Sequence, residues 1–459
     1  MELDTIDWLV FASLLLASLG VGFYFAWKDR NQSADSYLLN NEAMNPYAAG
    51  LSIFVSLISA LTIIGLPVEI YMFGNAMVWR MLGGLVGMYT VCYVFLPKIY
   101  GLQLYSIYTY TDLRFKSPFI TKLTLVYGMG ALLFHLMALS YLTALAFSTV
   151  IDIPDWGSLL VLNTVAIVYT MCGGMKAVIW TDCMQSFIML FSLTFICCKL
   201  WFMLGADNIV AVCEELNCNQ WKDMRFDVFQ RTSSWGYINS EYLLITVNMG
   251  FGQYFMQRCV ACDTLADARK ALSIGIVISL FVGAVLTPMT GMAALAYFNG
   301  KDPVKCGNLM KADQLMPYLA ARVFEDMPGL TGLFISAAYS ATLSTLSTGL
   351  NSFATVAFKV LSHACLNYNC LFRVSLKMSH PRSKCYINVC SLLCLAISLL
   401  LWRFRCVFFP TPLSPSSSLS RAVLDYALRS PSCVACCARR SIAKVGFSRV
   451  VDVFVFYLI

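Results

Sequence analysis

Residues 329–359, GLTGLFISAAYSATLSTLSTGLNSFATVAFK, are long enough to cross a bilayer as one helix, yet hydroxyl groups crowd their middle. Those hydroxyls belong to Ser340, Thr342, Ser344, Thr345, Ser347 and Thr348. A helix that faces only lipid gains nothing from so many oxygens, whereas hard cations are bound in proteins by oxygen ligands. No charged residue lies between Met327 and Lys359. The stretch therefore predicts a helix that lines a site for a monovalent cation.

The composition indicates a membrane protein. The 459 residues are 59% hydrophobic and only 12% charged, whereas soluble domains carry about 25% charged residues. The net charge of +7 comes from the C-terminal part: twelve Lys/Arg and two Asp/Glu from Leu361 onward give +10, which leaves −3 for the rest. This distribution gives no reason to expect a nucleic-acid partner.

Apolar runs of roughly 20 residues recur along the chain, and in lipid each run has to be helical because the bilayer satisfies no backbone group. The expected fold class is therefore all-α, a polytopic membrane protein whose partner is the lipid bilayer. The predicted spans are a leading helix at 7–27, then 46–74, 78–100, 119–149, 157–173, 176–203, 239–257, 271–298 and 329–358.

Basic residues in the short loops predict the orientation. With the N-terminus outside the cell, the inner loops carry most of the Lys and Arg of the short connections, including Lys98, Lys122 and Arg258. This orientation places the sequon at Asn31 inside, where it is not glycosylated.

The span at 46–74 contains Gly65 and Pro67 in its middle. Proline removes a backbone donor and glycine tolerates unwinding, so the sequence predicts a broken helix at this point. Broken helices near the bilayer midplane build binding sites in many secondary transporters. A simple proline kink is the alternative interpretation.

Four blocks of sequence resemble the sodium:solute symporter family, most closely its branch that carries monocarboxylates, water-soluble vitamins and iodide. They are residues 59–71, SALTIIGLPVEIY; residues 173–182, GGMKAVIWTD; residues 257–272, which begin Gln257-Arg258; and residues 313–317 with 343–352, the latter LSTLSTGLNS. Two positions depart from that branch, which tends to have Asn-Gln at Gly252-Gln253 and Leu-Asn at Phe147-Ser148.

The resemblance implies a leucine-transporter-like inverted repeat with a leading extra helix. Repeat one is expected at about 46–203, and an incomplete repeat two at about 239–358. The implied function is sodium-coupled symport of a small organic anion or vitamin, similar to a monocarboxylate, across the plasma membrane, with sodium as coupling ion and no cofactor.

The resemblance also implies the sodium ligands. They are the backbone carbonyls of Ser59, Thr62 and Ala341 and the hydroxyls of Ser344 and Thr345. Positions 341, 344 and 345 share one helix face, which agrees with a common ligand. The alternative is that the two hydroxyls only bond to carbonyls four residues back or to a neighbouring helix.

A carboxylate inside a span is costly, so Asp182 is a functional candidate that attracts sodium on its way to the cytoplasm. Pairing with Lys176, or stabilisation by a nearby helix N-terminus, is the alternative. The substrate candidates beside the predicted break are Thr62, Gly65, His135, Tyr141 and Gln253. The alternative for His135 is a packed, hydrogen-bonded residue, which a lone histidine among apolar neighbours more often is.

The resemblance stops after Lys359. Residues 360–459 read as an atypical tail rich in Arg, Cys and Ser, which suggests an altered terminus or a solvated basic segment. The alternative function is therefore a truncated, non-transporting membrane protein that binds or regulates partners, for which Gly83 and Gly87 offer a GxxxG contact. A membrane enzyme is disfavoured, because three histidines and no clustered carboxylates leave little for acid–base chemistry.

Cys213, Cys218 and Cys306 fall in predicted outer loops, where a disulfide is conceivable but its pairing is open.

Overall fold

The computed structural model describes residues 4–28, 44–102, 107–150, 155–222, 224, 233–299, 303–304, 306–307, 309 and 311–367. Residues 368–459, and with them nearly all of the predicted tail, lie outside this range. The α-helices of the described part are α1 Thr5–Lys28, α2 Pro46–Leu57, α3 Leu66–Phe73, α4 Arg80–Thr90, α5 Leu96–Leu102, α6 Ile107–Phe115, α7 Pro118–Val150, α8 Asp155–Leu204, α9 Ala206–Glu215, α10 Ser234–Phe251, α11 Gln253–Val260, α12 Leu265–Phe281, α13 Thr287–Phe298, α14 Leu315–Val323 and α15 Leu330–Asn367. No strand occurs among the described residues, in agreement with the all-α prediction.

Several elements are apolar and long enough to cross a bilayer. Within the described ranges, five helices meet that test: Thr5–Phe25, Ala76–Leu102, Pro118–Ser148, Ala177–Leu204 and Leu265–Phe298. The bent pair Pro46–Leu57 and Leu61–Phe73 adds a sixth if it counts as one span. The chain therefore has the helices of a multi-pass membrane protein.

The first interruption lies earlier than the sequence predicted. α2 ends at Leu57, and its axis makes an angle of 58° with the helical segment that begins at Leu61. Gly65 instead closes a π-helical turn, Leu61–Gly65, and Pro67 lies in the first turn of α3. The prediction of a break at Gly65 was wrong because proline is tolerated in a first helical turn, where its missing N–H has no intrahelical partner to lose.

A second interruption lies at Gly252, between α10 and α11. Its backbone is extended (φ −73°, ψ 120°), and its amide bonds back to the carbonyl of Asn248 at 2.8 Å. The sequence-based span at 239–257 was drawn as continuous. The chain thus has two interrupted helices in the positions that begin the two predicted repeats.

α8 also differs from the prediction, because one unbroken helix replaces the two spans expected at 157–173 and 176–203. Two apolar segments, Gly157–Val168 and Ala177–Leu204, lie along it. The glycine pair at 173–174 does not end the helix, since each internal glycine costs only about 1 kcal/mol and no proline follows. Asp182 consequently lies far from the N-terminus of its own helix, which removes that explanation for its charge.

The hydroxyl-rich helix α15 is central, and every residue from Phe334 to Phe353 is buried. It packs against α8, α1 and α7. Its N-terminus is capped from the leading helix, because Asp7 Oδ1 accepts the amides of Gly329 at 2.9 Å and Gly332 at 2.8 Å. The hydroxyls of α15 therefore face protein rather than lipid.

The glycines proposed for partner contact are used inside the chain. A Cβ at Gly83 would lie 2.0 Å from the carbonyl oxygen of Ile238, and one at Gly87 would lie 3.0 Å from the Cβ of Ile245. Both contacts belong to α10, which packs closely on α4. The GxxxG prediction of an intermolecular face was therefore wrong.

Candidate ion site

A buried ion pair lies at the junction of α2, α8, α11 and α15. Arg258 Nη2 donates to Asp182 Oδ2 at 2.9 Å and to Thr348 Oγ1 at 2.7 Å. Arg258 Nε donates to Ser52 Oγ at 2.7 Å, and Ser52 Oγ donates to Asp182 Oδ2 at 2.5 Å. The side chains of Asp182 and Arg258 are 0% and 1% exposed. Four helices are thus tied together through one ion pair.

The other oxygen of this carboxylate has no such partner. Asp182 Oδ1 and Ser344 Oγ are both buried and make no hydrogen bond of ordinary geometry among the described residues. The Ser344 side chain nevertheless lies beside the Asp182 carboxylate, close enough to stabilise it as a hydrogen-bond donor. Leaving a buried polar atom unpaired costs about 1–3 kcal/mol, more for a charged group. A carboxylate oxygen and a hydroxyl oxygen in this state form a suitable environment for a small cation.

Two further buried side chains have unpartnered atoms on the neighbouring turns. Ser56 is one turn after Ser52 on α2, and Gln185 is three residues after Asp182 on α8. Ser56 Oγ and both polar atoms of Gln185 lack hydrogen-bond partners within the described residues. Since residues three and four apart share a helix face, these atoms lie on the faces that α2 and α8 turn toward the ion pair.

The predicted sodium ligands have different surroundings. Thr345 Oγ1 donates to the carbonyl of Ala341 at 2.9 Å, which is the local bond foreseen as the alternative. The carbonyl of Ser59 accepts the amides of Thr62 at 2.9 Å and Ile63 at 3.2 Å. Ser344 makes no such bond, so the two hydroxyls of the predicted pair differ.

A small cavity of about 40 Å³ lies beside the first interruption. Ile58 and Thr62 line one side, and the ion pair of Arg80 with Glu241 lines another. Arg80 Nε donates to Glu241 Oε2 at 2.7 Å, which links α4 to α10. The cavity has room for a few water molecules and is far smaller than the roughly 300–1,000 Å³ of ligand pockets.

The structure brings only Thr62 of the five substrate candidates to this cavity. His135 lies on an exposed face of α7, so its interpretation as a packed core residue was wrong. Tyr141 OH accepts Lys311 Nζ at 2.7 Å, and Gln253 Oε1 accepts the amide of Ile107 at 2.9 Å, where α6 begins. Gly65 ends the π-helical turn.

Sequence reasoning missed Arg258, which it assigned to an inner loop, and the pairing of Arg80 with Glu241. Asp182 pairs with Arg258, while the side chain of Lys176 lies outside the described set. Positions 182 and 258 are 76 residues apart, so no local pattern reports their contact. The sequence did contain a signal for the second interruption, the glycine at position 252, because an isolated glycine in an apolar run often marks a close approach or a break.

Interrupted helices around a polar core, in an apolar bundle, are typical of membrane secondary transporters. The model of the sodium:solute symporter family matches residues 37–367, and the chain belongs to that family. Sodium-coupled monocarboxylate transporter 2 of Bos taurus is 32% identical over 78% of this chain and 58% of its own length. The human sodium/iodide cotransporter is 32% identical over 77% of this chain and 55% of its own length. The chain thus spans less than two thirds of the length of these curated relatives.

A solved structure has the same fold. It is a Na+-coupled sialic acid symporter in a substrate-bound, outward-open state, described as revealing a novel Na+ site. The TM-score is 0.73 with 21% sequence identity, and the match covers 88% of this chain and 83% of that chain. The fold expected from the resemblance, a leucine-transporter-like helical bundle, is therefore confirmed.

Proposed function

We propose that the protein performs sodium-coupled symport of a small organic anion or vitamin, similar to a monocarboxylate, across the plasma membrane with its N-terminus outside. The observation that carries this proposal is the pair of neighbouring buried oxygens, Asp182 Oδ1 and Ser344 Oγ, which have no other hydrogen-bond partner among the described residues and lie close to an interrupted membrane helix. The family consists of transporters rather than enzymes. The names of the relatives support monocarboxylates and iodide as the first substrates to test.

Helix geometry supports a cation site between α2 and α15. Ser52 and Thr348 both contact Arg258, so they mark the same level in the bundle. Ser59 is seven residues beyond Ser52, and Ala341 is seven residues before Thr348. A rise of about 1.5 Å per residue places Ala341 roughly 10 Å from that level along α15, and Ser59 lies two residues past the end of α2 at Leu57.

The two helices run in opposite directions at this junction. Ser352, farther along α15, bonds to Gln257 of α11 at 3.3 Å, and Met44, just before α2, bonds to the carbonyl of Ala261, just after α11. The start of α2 is therefore near the later part of α15. Ser59 and Ala341 consequently lie on the same side of the ion pair, as a shared cation requires.

The backbone near the first interruption also supports a ligand role for Thr62. In the π-helical turn, the amide of Leu66 bonds to the carbonyl of Leu61. The next amide in that register belongs to position 67, and Pro67 has no amide hydrogen to offer the carbonyl of Thr62. Thr345 retains a role as well, because a hydroxyl that donates its proton to Ala341 still has oxygen lone pairs for a cation.

We infer that the anion binds beside the first interruption, where Thr62 and the ion-paired side chains of Arg80 and Glu241 line the cavity. A cavity of about 40 Å³ has to widen before an organic anion enters it. Alternating access provides such a movement, and sodium drives it only if it binds some states better than others.

The experiment is radiotracer uptake of lactate, biotin and iodide into cells or proteoliposomes, with sodium replaced by choline. Sodium-dependent uptake of any one of them supports symport. Surface delivery with no sodium-dependent uptake of any tracer would instead favour the non-transporting, regulatory alternative.

Ser344→Ala and Thr345→Ala are expected to raise the sodium concentration needed for half-maximal uptake, because each removes one cation ligand. Ser336→Ala is the matched control, since Ser336 is buried in the same helix and its hydroxyl donates to the carbonyl of Gly332 at 2.6 Å. An unchanged sodium requirement in both ligand variants would refute the proposed site.

A further inference from the structure

The short helix α9, in the connection between α8 and α10, ends in a Schellman motif that holds two cysteines. The amide of Cys218 bonds to the carbonyl of Cys213 at 2.8 Å, and the amide of Asn217 bonds to the carbonyl of Glu214 at 3.1 Å. Asn217 has the left-handed conformation, with φ 52°, that this motif requires. Cys213 and Cys218 thus occupy the two positions whose side chains touch in a Schellman motif.

Both thiols are buried, with Cys213 0% and Cys218 4% exposed. Their direct hydrogen bond raises the pKa of Cys213 and lowers the pKa of Cys218. Cys218 is therefore the sulfur that more readily forms the attacking thiolate. A disulfide needs Cα atoms no more than about 7 Å apart. The hydrogen bond from the Cys218 amide to the Cys213 carbonyl closes the turn and favours this condition.

The same turn is attached to the outer end of the first interrupted span. The carbonyl of Cys218 accepts the amide of Asn75 at 3.0 Å, directly after α3 and Gly74. Asn75 Nδ2 donates to Asn219 Oδ1 at 3.3 Å, and Asn75 Oδ1 accepts the amide of Trp221 at 3.2 Å. Whatever stiffens the turn also fixes this end of α3.

We propose that Cys213 and Cys218 form a disulfide that locks this turn against the outer end of α3. The proposal rests on the proposed orientation, which places the connection in the oxidising secretory lumen and then outside the cell. In the reaction, the Cys218 thiolate attacks a disulfide of an oxidant protein, and the Cys213 thiolate then displaces the oxidant's remaining sulfur. The two cysteines lose two protons and two electrons, and the oxidant leaves as a dithiol. Cys306, which is exposed, stays outside this pair.

Trypsin gives a direct test, because residues 200–222 form one tryptic peptide that contains these two cysteines and no others. The full-length protein is denatured from membranes without reductant and treated with N-ethylmaleimide before digestion. We expect the peptide to be two hydrogens lighter than the dithiol and unlabelled, and to accept two labels only after reduction. Further cleavage at Glu214 or Glu215 is expected to leave two fragments joined until reduction, while Cys306 is labelled without it.

A peptide that carries two labels before reduction would overturn the proposal. The Gln230→Asn variant creates an Asn-Arg-Thr sequon in the same connection. Its glycosylation state then distinguishes a missing disulfide from a wrong orientation. Its glycosylation would mean that the orientation holds and only the disulfide is wrong. A lack of glycosylation, together with glycosylation at Asn31, would trace the failure to the orientation.

A second measurement tests the locking role. Reductant is expected to lower the thermal stability of the wild type and of Cys306→Ser, but to leave the Cys213→Ser/Cys218→Ser variant unchanged. An equal effect of reductant on all three proteins would contradict the lock.

Discussion

Replacing Arg258 by methionine removes the positive charge from the buried junction while keeping an unbranched side chain that extends about as far as the arginine Nε. The guanidinium contacts Ser52, Asp182 and Thr348, so the change breaks hydrogen bonds to three helices at once. It also leaves the Asp182 carboxylate, 0% exposed, without its counter-ion. We expect Arg258→Met to be among the most destabilising single changes in the described part of the chain.

The magnitude follows from the geometry of the pair. At 2.9 Å and an effective dielectric constant of about 20, the attraction between the two charges is about 6 kcal/mol. Most of this offsets the desolvation of both groups, so the pair adds little net stability. Removing one partner leaves the desolvation of the other uncompensated, and breaking such pairs costs about 3–5 kcal/mol.

The assay is thermal and denaturant unfolding of the purified protein in detergent. Arg322→Met is the matched control, because Arg322 is exposed and donates a long hydrogen bond, 3.4 Å, to the hydroxyl of Tyr318. The Asp182→Asn/Arg258→Met double variant is expected to recover most of the lost stability, since it removes both charges. The reasoning is refuted if Arg258→Met is no less stable than the control, or if the double variant is no more stable than Arg258→Met.

Two further changes test how the helices are held. Asp7→Ala is expected to lower the unfolding free energy by about 1–2 kcal/mol, because it leaves the amides of Gly329 and Gly332 uncapped. Thermal unfolding beside the wild type checks this, and equal stability would contradict the cap. Gly83→Ala is expected to cost about 1–3 kcal/mol, because its Cβ would lie 2.0 Å from the Ile238 carbonyl oxygen. Gly101→Ala has open space around its Cβ and is the control, and a well-folded Gly83→Ala of control stability would show that α4 and α10 do not pack this closely.

The sequence predicted the elements that depend on apolar length. The spans drawn at 46–74 and 119–149 agree within a few residues with helical stretches of the structure, and the span at 271–298 lies within the longer stretch Leu265–Phe298, because a bilayer imposes both the length and the helical conformation. The burial of α15 was also predictable, since its hydroxyls are unsuited to lipid.

The two interruptions were harder to place from sequence. The first falls at Ile58, Ser59 and Ala60, residues that do not break helices by themselves, so tertiary contacts decide its position. Pro67, the most visible breaker, starts a helix instead. The partners of Asp182 and Arg80 come from distant segments, and only the folded bundle brings Arg258 and Glu241 to them.

The two oxygens of Asp182 have different surroundings, and this difference leads to a last prediction. Oδ2 accepts from Ser52 and Arg258, whereas Oδ1 accepts from neither and is without an assigned partner in the described part of the chain. A sodium ion at Oδ1 would share the carboxylate with the guanidinium, so each cation weakens the hold of the other, and by linkage the effect is reciprocal.

Arg258 belongs to α11, directly after the second interruption, and Ser52 belongs to α2, directly before the first. Sodium binding would therefore loosen a contact between two half-helices that flank the interruptions. Lysine has no guanidinium group, so we expect Arg258→Lys to hold the carboxylate less closely. We therefore expect this variant to bind sodium more tightly than the wild type in a sodium-dependent thermal-shift titration. Weaker binding would mean that Arg258 arranges the carboxylate for sodium rather than competing with it, because the loss of a competitor can only raise the affinity.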